Sequence, residues 1–257
     1  MDETFTVIIP ARFASERLPG KPLRDIAGKP LVQRTFESAG RCGASNIVVA
    51  TDNEGIAKVV RRFGGEACMT SASHPSGTDR TAEAARILNL ETNEIVVNVQ
   101  GDEPDMPGEL IDQVASLLSS DSAVKVATAC CPLDNPQQYT DPSVVKLVVD
   151  AQGHAIYFSR APIPHAREVG NQAQDRVPWR NVHRHIGIYA YRCGYLQTLA
   201  QTPPCELEIT EGLEQLRVLW MGDKIAVGQA CSVPGPGIDT VADLERAIRD
   251  FSGQQGI

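Results

Sequence analysis

Short apolar runs alternate with amphipathic segments along the first half of the chain. The apolar runs are rich in Val and Ile and nearly continuous, which is typical of strands buried on both faces. Such strands are predicted at 4–10, 46–51 and 94–99. Segments with apolar residues at helical spacing predict helices at 30–40, 54–63, 78–90 and 107–118. This alternation predicts an α/β fold, with a mainly parallel sheet covered by helices on both faces.

The pattern changes after Cys130. Two apolar segments flank Asp150-Ala151-Gln152-Gly153, which predicts a β-hairpin. The expected elements are hairpin strands at 144–149 and 155–159, an exposed loop at 165–181, a strand at 185–191, a helix at 207–220, a strand at 224–230 and a helix at 241–251. Since no repeat or linker interrupts the chain, we expect one domain over 1–257. It carries an antiparallel insertion near 131–191 and returns to the main sheet at 192–257.

Composition and charge exclude several classes of protein. The 257 residues are 42% hydrophobic and 22% charged, as in ordinary soluble domains. With 24 Lys and Arg against 32 Asp and Glu, the net charge is −8, so no nucleic-acid partner is expected. No apolar run approaches the roughly 20 residues of a membrane span, and the first four residues lack the basic start of a secretory signal. Seven cysteines without a C-x-x-C pair suit a reducing cytoplasm.

A basic loop directly follows the first predicted strand, within the segment PARFASERLPGKPL at 10–23. Ligands of open α/β sheets bind at the carboxyl ends of strands, and Arg12, Arg17 and Lys21 could wrap a triphosphate there. The alternative is a solvated loop that only keeps the protein soluble. The Gly20-Lys21 pair beside the strand favours the phosphate site. It is not a P-loop, because G-x-x-x-x-G-K-[ST] is absent.

Two aspartates occupy positions suited to a metal. Asp102 follows the strand at 94–99 within VQGDEP, and Asp239 follows PGPGI before the last predicted helix. Carboxylate oxygens suit Mg²⁺. The alternatives are a turn at Asp102 and a helix cap at Asp239 or Thr240.

Three further motifs carry polar residues with more than one possible role. In HPSGTDR at 74–80, Ser76 and Thr78 are possible helix caps, while Arg80 could hold a base or a phosphate. Arg160 in YFSR and His185 in HRHIGIY are candidates for binding a carboxylate or a sugar hydroxyl. His183 and His185 share one side of a strand but lack the partners of a zinc site. The leucines of LEQLR at 213–217 are expected in the core, so only Glu214 and Gln215 are free to face a ligand.

Together these motifs resemble those of the 3-deoxy-manno-octulosonate cytidylyltransferases, also called CMP-Kdo synthetases. The matching segments follow the family's order over nearly the whole chain: IIPARFASERLPGKPL, IVVATDNE, HPSGTDR, VNVQGDEP, YFSRAPIP, HIGIYAYR, LEQLRVLW and VPGPGIDT. The first pattern is shared with sialic acid cytidylyltransferases, whereas QGDEP, YFSR, HIGIY and LEQLR together are specific. The resemblance implies a Rossmann-like nucleotidyltransferase fold. Residues 1–130 would be its nucleotide-binding half, and 131–191 would serve sugar binding and dimerisation.

The resemblance also implies the reaction CTP + Kdo → CMP-Kdo + pyrophosphate, for lipopolysaccharide assembly, by a cytoplasmic homodimer that depends on Mg²⁺. The implied nucleotide-binding residues are Arg12, Ser15, Arg17, Lys21, Ser76, Gly77 and Arg80. The implied metal ligands are Asp102 and Asp239, and these two with Lys21 and Arg12 form the expected catalytic set. The implied sugar-pocket residues are Gln100, Arg160, His185, Tyr189, Glu214 and Gln215.

Two alternatives to this function remain open. One is a cytidylyltransferase for another acid sugar, either sialic acid or the 8-amino relative of Kdo. The sugar-pocket residues argue against sialic acid but barely discriminate against the amino analogue. The other is a nucleotide-binding protein without catalysis, which intact Lys21, Asp102 and Asp239 count against. The sequence shows no evident general base, so activation of the sugar hydroxyl by a metal is the expected route.

Overall fold

The computed structural model describes residues 4–15, 17–121, 123–165 and 182–254. The strands are β1 Phe5–Ala11, β2 Asp25–Ile26, β3 Lys29–Pro30, β4 Asn46–Thr51, β5 Glu66–Met69, β6 Ile95–Asn98, β7 Val126–Pro132, β8 Lys146–Val149, β9 Ala155–Ser159, β10 His183–Arg192 and β11 Ile225–Gln229. The helices are α1 Leu31–Ala39, α2 Glu54–Arg62, α3 Gly77–Ile87, α4 Gly108–Ser120, α5 Pro136–Thr140, α6 Cys193–Gln201, α7 Glu206–Glu211, α8 Gln215–Trp220 and α9 Val241–Gln254. A short 3₁₀ helix spans Lys21–Leu23.

A nine-stranded sheet forms the centre of the molecule. Seven strands lie in the order β11-β7-β10-β6-β1-β4-β5, and β8 and β9 extend the sheet beside β10. Neighbours in this order are parallel, except that β10 runs antiparallel to both β6 and β7. The carboxyl ends of the six strands other than β10 therefore lie at one edge of the sheet, where α/β proteins bind ligands.

Helices cover both faces of the sheet, as the alternating pattern predicts. On one face α1, α2 and α4 bury Val32, Ile56 and Leu110 against β1 and its neighbours. On the other face α3, α6 and α8 bury side chains such as Ala84 and Leu196. Because β1, β4 and β6 are largely apolar on both faces, their sequences read as nearly continuous apolar runs. The α/β fold class is confirmed.

Several elements differ from the prediction. The single helix expected at 207–220 is wrong: Gly212 adopts φ +63° and ends α7, and α8 begins only at Gln215. Glycine takes this left-handed conformation without the steric cost that a Cβ imposes. Four strands, β2, β3, β5 and β7, and two helices, α5 and α6, were not predicted at all.

The antiparallel part of the chain is joined to the main sheet. The predicted hairpin is confirmed, since β8 and β9 pair antiparallel on either side of the turn at 150–153. However, β10 lies inside the main sheet, so its residues do not belong to an insertion outside that sheet. Of the loop expected at 165–181, residues 166–181 lie outside the described residues.

The last helix holds down the loop that follows β1. Leu18 and Ile26 from the loop region form a small buried cluster with Ile238 and Ala247. Thr240 caps α9 by accepting a hydrogen bond from the Asp243 amide, which leaves the Asp239 side chain free to turn toward the loop. Across the described ranges, no helix has the length and apolar character needed to cross a membrane.

Candidate active site

A cleft with a volume of about 1200 Å³ opens at the carboxyl ends of β1 and β6. Its walls include fourteen of the fifteen site residues predicted from the sequence: Arg12, Ser15, Arg17, Lys21, Ser76, Gly77, Arg80, Gln100, Asp102, Arg160, Tyr189, Glu214, Gln215 and Asp239. The exception is His185. Segments far apart in the chain thus contribute to one cavity.

Lys21 occupies the junction of three segments of the cleft. Its Nζ donates to Asp102 Oδ2 at 2.8 Å, to Asp239 Oδ1 at 2.9 Å and to the Ile238 carbonyl at 3.0 Å. Burial alone would lower the pKa of Lys21, but the two carboxylates outweigh it and raise that pKa above 10.5. The ammonium group therefore stays charged at neutral pH.

The basic loop keeps much of its charge available. Arg17 pairs with Asp239 Oδ2 at 3.1 Å, but 68% of its side chain is exposed, so the pair is weak. Arg12 is exposed, and within the described part of the chain neither its guanidinium nor the Ser15 hydroxyl has a protein partner. Gly20, at φ +66°, gives the turn that presents Lys21 to the cleft.

The ends of β1 and β6 approach each other so closely that only glycine fits at position 101. A Cβ built on Gly101 would lie 2.5 Å from the Pro10 carbonyl oxygen. This close approach places Asp102 beside the start of the basic loop.

The HPSGTDR segment at 74–80 forms one wall of the cleft, and helix α3 begins within this segment. Ser76 caps α3 by accepting from the Asp79 amide at 3.1 Å. Arg80 lines the cleft but is 2% exposed, and its guanidinium is held by Thr70 Oγ1 at 2.7 Å and Asp52 Oδ2 at 3.1 Å. Because Asp52 also accepts from the Phe13 amide, Arg80 braces the basic loop through Asp52.

Arg160 enters the cleft from the end of β9. Its Nε donates to the Glu211 carbonyl at 2.7 Å, Nη1 to the Pro142 carbonyl at 3.0 Å and Nη2 to the Gly212 carbonyl at 3.4 Å. All three partners are neutral, and among the described residues no carboxylate pairs with the guanidinium. Its positive charge is therefore oriented and not neutralised, which suits a carboxylate ligand.

Tyr189, Glu214 and Gln215 line a further part of the cleft. Burial raises the pKa of Glu214, and the hydroxyls of Thr78 and Ser76 partly offset this. The Nε2 atom of Gln215 is buried without a partner in the described structure. A buried amide donor without a partner is costly unless a ligand or water satisfies it.

His185 lies behind this wall. Its ring packs edge-on against Phe158, with ring centres 5.2 Å apart, and beside Tyr189 at 5.3 Å. Its Nε2 is 3.1 Å from Thr128 Oγ1. Burial lowers the pKa of His185 from 6.5 to about 3, so the ring is neutral and positions its neighbours.

Glu103 is a cleft residue that the sequence reasoning missed, although it stands next to Asp102 in the same motif. Burial raises the pKa of Glu103 to about 8, with the charge of Asp102 adding to the effect and Arg184 opposing it. Its Oε2 is buried without a partner in the described structure. The signal in the sequence is the acidic pair Asp102-Glu103 at a strand end, of which only Asp102 was predicted to be functional.

The donor set fits a hard divalent cation shared with a ligand. Asp102 and Asp239 converge on one point, Lys21 Nζ, and the described residues contain no cluster of three or more His, Cys, Asp or Glu side chains that could hold a metal alone. Mg²⁺ commonly takes one or two carboxylates and completes its shell with phosphate oxygens and water.

Comparisons with known proteins identify the family to which the chain belongs. A cytidylyltransferase family model matches residues 6–225. The 3-deoxy-manno-octulosonate cytidylyltransferase of Idiomarina loihiensis is 50% identical over 247 residues, which cover 95% of this chain and 97% of that protein. The chain belongs to this family. The enzyme of the same name from Pseudomonas fluorescens is 49% identical over 253 residues, covering 97% and 98% of the two chains.

Solved structures of other proteins share the α/β fold of this chain. A structure of CMP:2-keto-3-deoxy-manno-octonic acid synthetase complexed with CTP superimposes with a TM-score of 0.88 at 38% identity, covering 98% of this chain and 100% of that one. A 4-diphosphocytidyl-2C-methyl-D-erythritol synthase from Anaerococcus prevotii reaches a TM-score of 0.61 at 11% identity. That second likeness concerns the fold alone.

Proposed function

We propose that this chain transfers CMP from CTP to the anomeric hydroxyl of 3-deoxy-D-manno-octulosonate, releasing pyrophosphate, in lipopolysaccharide biosynthesis. The observation that carries the proposal is one cleft lined both by the basic loop and by Arg160, whose guanidinium has only carbonyl partners. The first feature suits a nucleoside triphosphate, and the second suits an acid sugar. Membership of the family supplies the names of the two substrates.

The reaction forms one phosphorus–oxygen bond and breaks another. The anomeric oxygen attacks the α-phosphorus of CTP, the bond to the bridging oxygen of the β-phosphate breaks, and the hydroxyl proton passes to solvent. Such a transfer needs alignment and neutralisation of charge more than covalent help from the protein. Arg12, Arg17 and Lys21 supply positive charge at the triphosphate, while Arg160, Glu214 and Gln215 hold the sugar.

We further propose Mg²⁺ as the cofactor, held by Asp102 and Asp239. A metal bound there supplies charge neutralisation on the triphosphate and lowers the pKa of the attacking hydroxyl. Lys21 holds the two carboxylates facing one point, because its ammonium group donates to both. In Asp239→Asn, we expect the Mg²⁺ concentration needed for half-maximal rate to rise about tenfold; an unchanged rate at limiting Mg²⁺ would remove Asp239 from the ligand set.

The remaining expectations are a cytoplasmic homodimer that uses the antiparallel part of the chain. In support, β9 carries Ile156 with 57% of its surface exposed, and exposed apolar side chains of this kind are found at subunit interfaces. Light scattering on the purified protein measures the mass directly. Replacing Ile156 by Asp would shift a dimer that uses this face toward the monomer.

The function is tested by pyrophosphate release from CTP and Mg²⁺ with freshly supplied Kdo. Parallel reactions contain sialic acid, the 8-amino analogue of Kdo or no sugar. We expect release with Kdo and a loss of at least ~100-fold in Lys21→Met, with Lys58→Met on the exposed side of α2 as the matched control. Pyrophosphate release with the amino analogue alone would support the same mechanism but identify 8-amino-Kdo, and not Kdo, as the substrate. Binding of CTP without release for any sugar would favour the non-catalytic alternative.

A further inference from the structure

Arg160 is held at its backbone as well as at its side chain. The Glu211 carboxylate accepts from the Arg160 amide through Oε2 at 3.0 Å and from the Ser159 hydroxyl through Oε1 at 2.6 Å. The Glu211 carbonyl also accepts from Arg160 Nε. One residue at the end of α7 thus fixes both the chain path and the side-chain direction of Arg160. The same turn leads through Gly212 to the cleft residue Glu214.

Lys146 is fully buried, with 0% exposure, and it lies on β8 beside this corner. Its Nζ donates to three main-chain carbonyls: Asp141 at 2.9 Å, Val144 at 2.6 Å and Arg160 at 2.6 Å. An ammonium group has three N–H donors, and here each has a carbonyl partner. A buried lysine without a carboxylate bonded to it is rare, so a specific role explains its presence better than stability alone.

The three carbonyls belong to two pieces of chain, the segment before β8 and the residue that follows β9. Asp141 and Val144 bracket Pro142, whose own carbonyl accepts from Arg160 Nη1. Lys146 therefore ties the loop that carries this acceptor to the main chain of the arginine that donates to it. Without Lys146 this direct tie between the acceptor loop and Arg160 would be lost, although β8 and β9 would remain paired. The guanidinium would lose the Pro142 contact that sets its angle in the cleft.

We propose that Lys146 and Glu211 are positioning residues for binding of the acid sugar, acting through Arg160. This inference rests on the proposed function. Neither residue lies in the cleft wall, so neither touches the substrate. Lys146 fixes Arg160 from its carbonyl side and Glu211 from its amide side, and the guanidinium is presented to the sugar carboxylate in one orientation.

The first test is the steady-state kinetics of Lys146→Met with both substrates. A displacement of about 1 Å in a binding group costs up to about 100-fold. We therefore expect the KM for Kdo to rise between about tenfold and 100-fold, with kcat and the KM for CTP within about twofold of the parent. Lys58→Met is the matched control. A loss of folding stability alone would lower the amount of active enzyme without this separation of the two KM values.

The decisive test is a double-mutant cycle with Arg160→Ala. If Lys146 acts through Arg160, Lys146→Met lowers kcat/KM for Kdo by less than about twofold in the Arg160→Ala background. The same fold-loss in both backgrounds would overturn the proposal. Because Lys146→Met risks misfolding, Glu211→Ala and Glu211→Gln are taken through the same cycle.

The glutamine variant provides the conservative rescue. Its amide oxygen can accept from the Arg160 amide while its NH₂ group faces the Ser159 hydroxyl, so Glu211→Gln should recover most of the affinity for Kdo that Glu211→Ala loses. Equal losses in these two variants would contradict a hydrogen-bonding role for Glu211. The parent enzyme is assayed first. If it is active with Kdo but the losses of kcat/KM in the double-mutant cycle are additive, only the positioning role is refuted. A parent inactive with Kdo defeats the proposed function and this inference with it.

Discussion

The ion pair between Glu208 and Arg217 gives a quantitative stability prediction. Arg217 Nε and Nη2 donate to the two carboxylate oxygens of Glu208 at 2.7 and 2.5 Å, and the side chains of Arg217 and Glu208 are only 7% and 9% exposed. The hydrogen bonds to Glu208 raise the pKa of Arg217, outweighing the effect of its burial. Replacing Glu208 by Gln leaves a buried guanidinium without its counter-charge.

The expected cost follows from the burial of the pair. Breaking a buried pair by removing one partner costs about 3–5 kcal/mol, which for a chain of this length corresponds to a fall in Tm of roughly 6–20 °C. Urea unfolding followed by circular dichroism measures the free energy, with the m-value held common to both proteins. Glu206→Gln, an exposed position on the same helix, should change it by less than about 0.5 kcal/mol.

A double variant separates two contributions to the loss of stability, namely the lost ion pair and the cost of leaving one buried charge unpaired. Because Glu208→Gln and Arg217→Met each leave one charge unpaired, the double variant should be less destabilised than the sum of the two single losses. If Glu208→Gln cost under about 1 kcal/mol, water would have to reach the guanidinium, and the reasoning from burial would be wrong.

Three other changes test separate parts of the structure. His185→Gln should reduce the pH dependence of the unfolding free energy. In the folded parent the pKa of His185 is lowered to about 3, so below about pH 6.5 the unfolded chain binds a proton that the folded chain does not. The unfolding free energy of the parent therefore falls as pH falls, by up to ~1.4 kcal/mol per pH unit. Parallel stability curves for parent and variant between about pH 7 and pH 5 would exclude this. Asn53→Ala removes the cap that accepts from the Ile56 amide and should cost about 1 kcal/mol in urea unfolding, whereas a change within error would mean that water caps the helix equally well. Gly101→Ala brings a Cβ to 2.5 Å from the Pro10 carbonyl oxygen and should lower both Tm and kcat, since the strand ends must separate; a fully active variant with the parent Tm would show that they move apart without cost.

Strands β1, β4 and β6 were predictable because they are largely apolar on both faces. Strand β7 was missed because Ala and Cys fill much of it, and these residues carry little β preference of their own. Its pairing with β10 and β11 stabilises it, and that pairing is not visible locally. Helix α6 was missed because it begins directly after β10 without a side-chain cap, so no start signal precedes it.

The site was predictable to the extent that its residues fall in recognisable motifs at strand ends. What the sequence could not give is which polar groups already have partners. Arg80 has the same chemistry as Arg12, yet Asp52 and Thr70 engage Arg80 while Arg12 is exposed. Likewise, His185 was placed in the sugar pocket by its motif, but Phe158 packs against it. Arg80 and Asp52 are 28 positions apart in the chain, and His185 and Phe158 are almost as far apart, so local sequence patterns carry no trace of these contacts.

The place of β10 in the sheet has a consequence for synthesis on the ribosome. Strand β10 lies between β6 and β7, yet it follows both of them in the chain by at least fifty residues. Until residue 192 has emerged, the nascent chain therefore presents β6 and β7 as two open strand edges, which are templates for wrong pairing. A prematurely terminated product would keep the basic loop, Asp102 and most of the nucleotide half, but not a closed sheet. This topology therefore requires that the open edges of β6 and β7 be protected during translation, a requirement that the stability of the finished enzyme does not reveal.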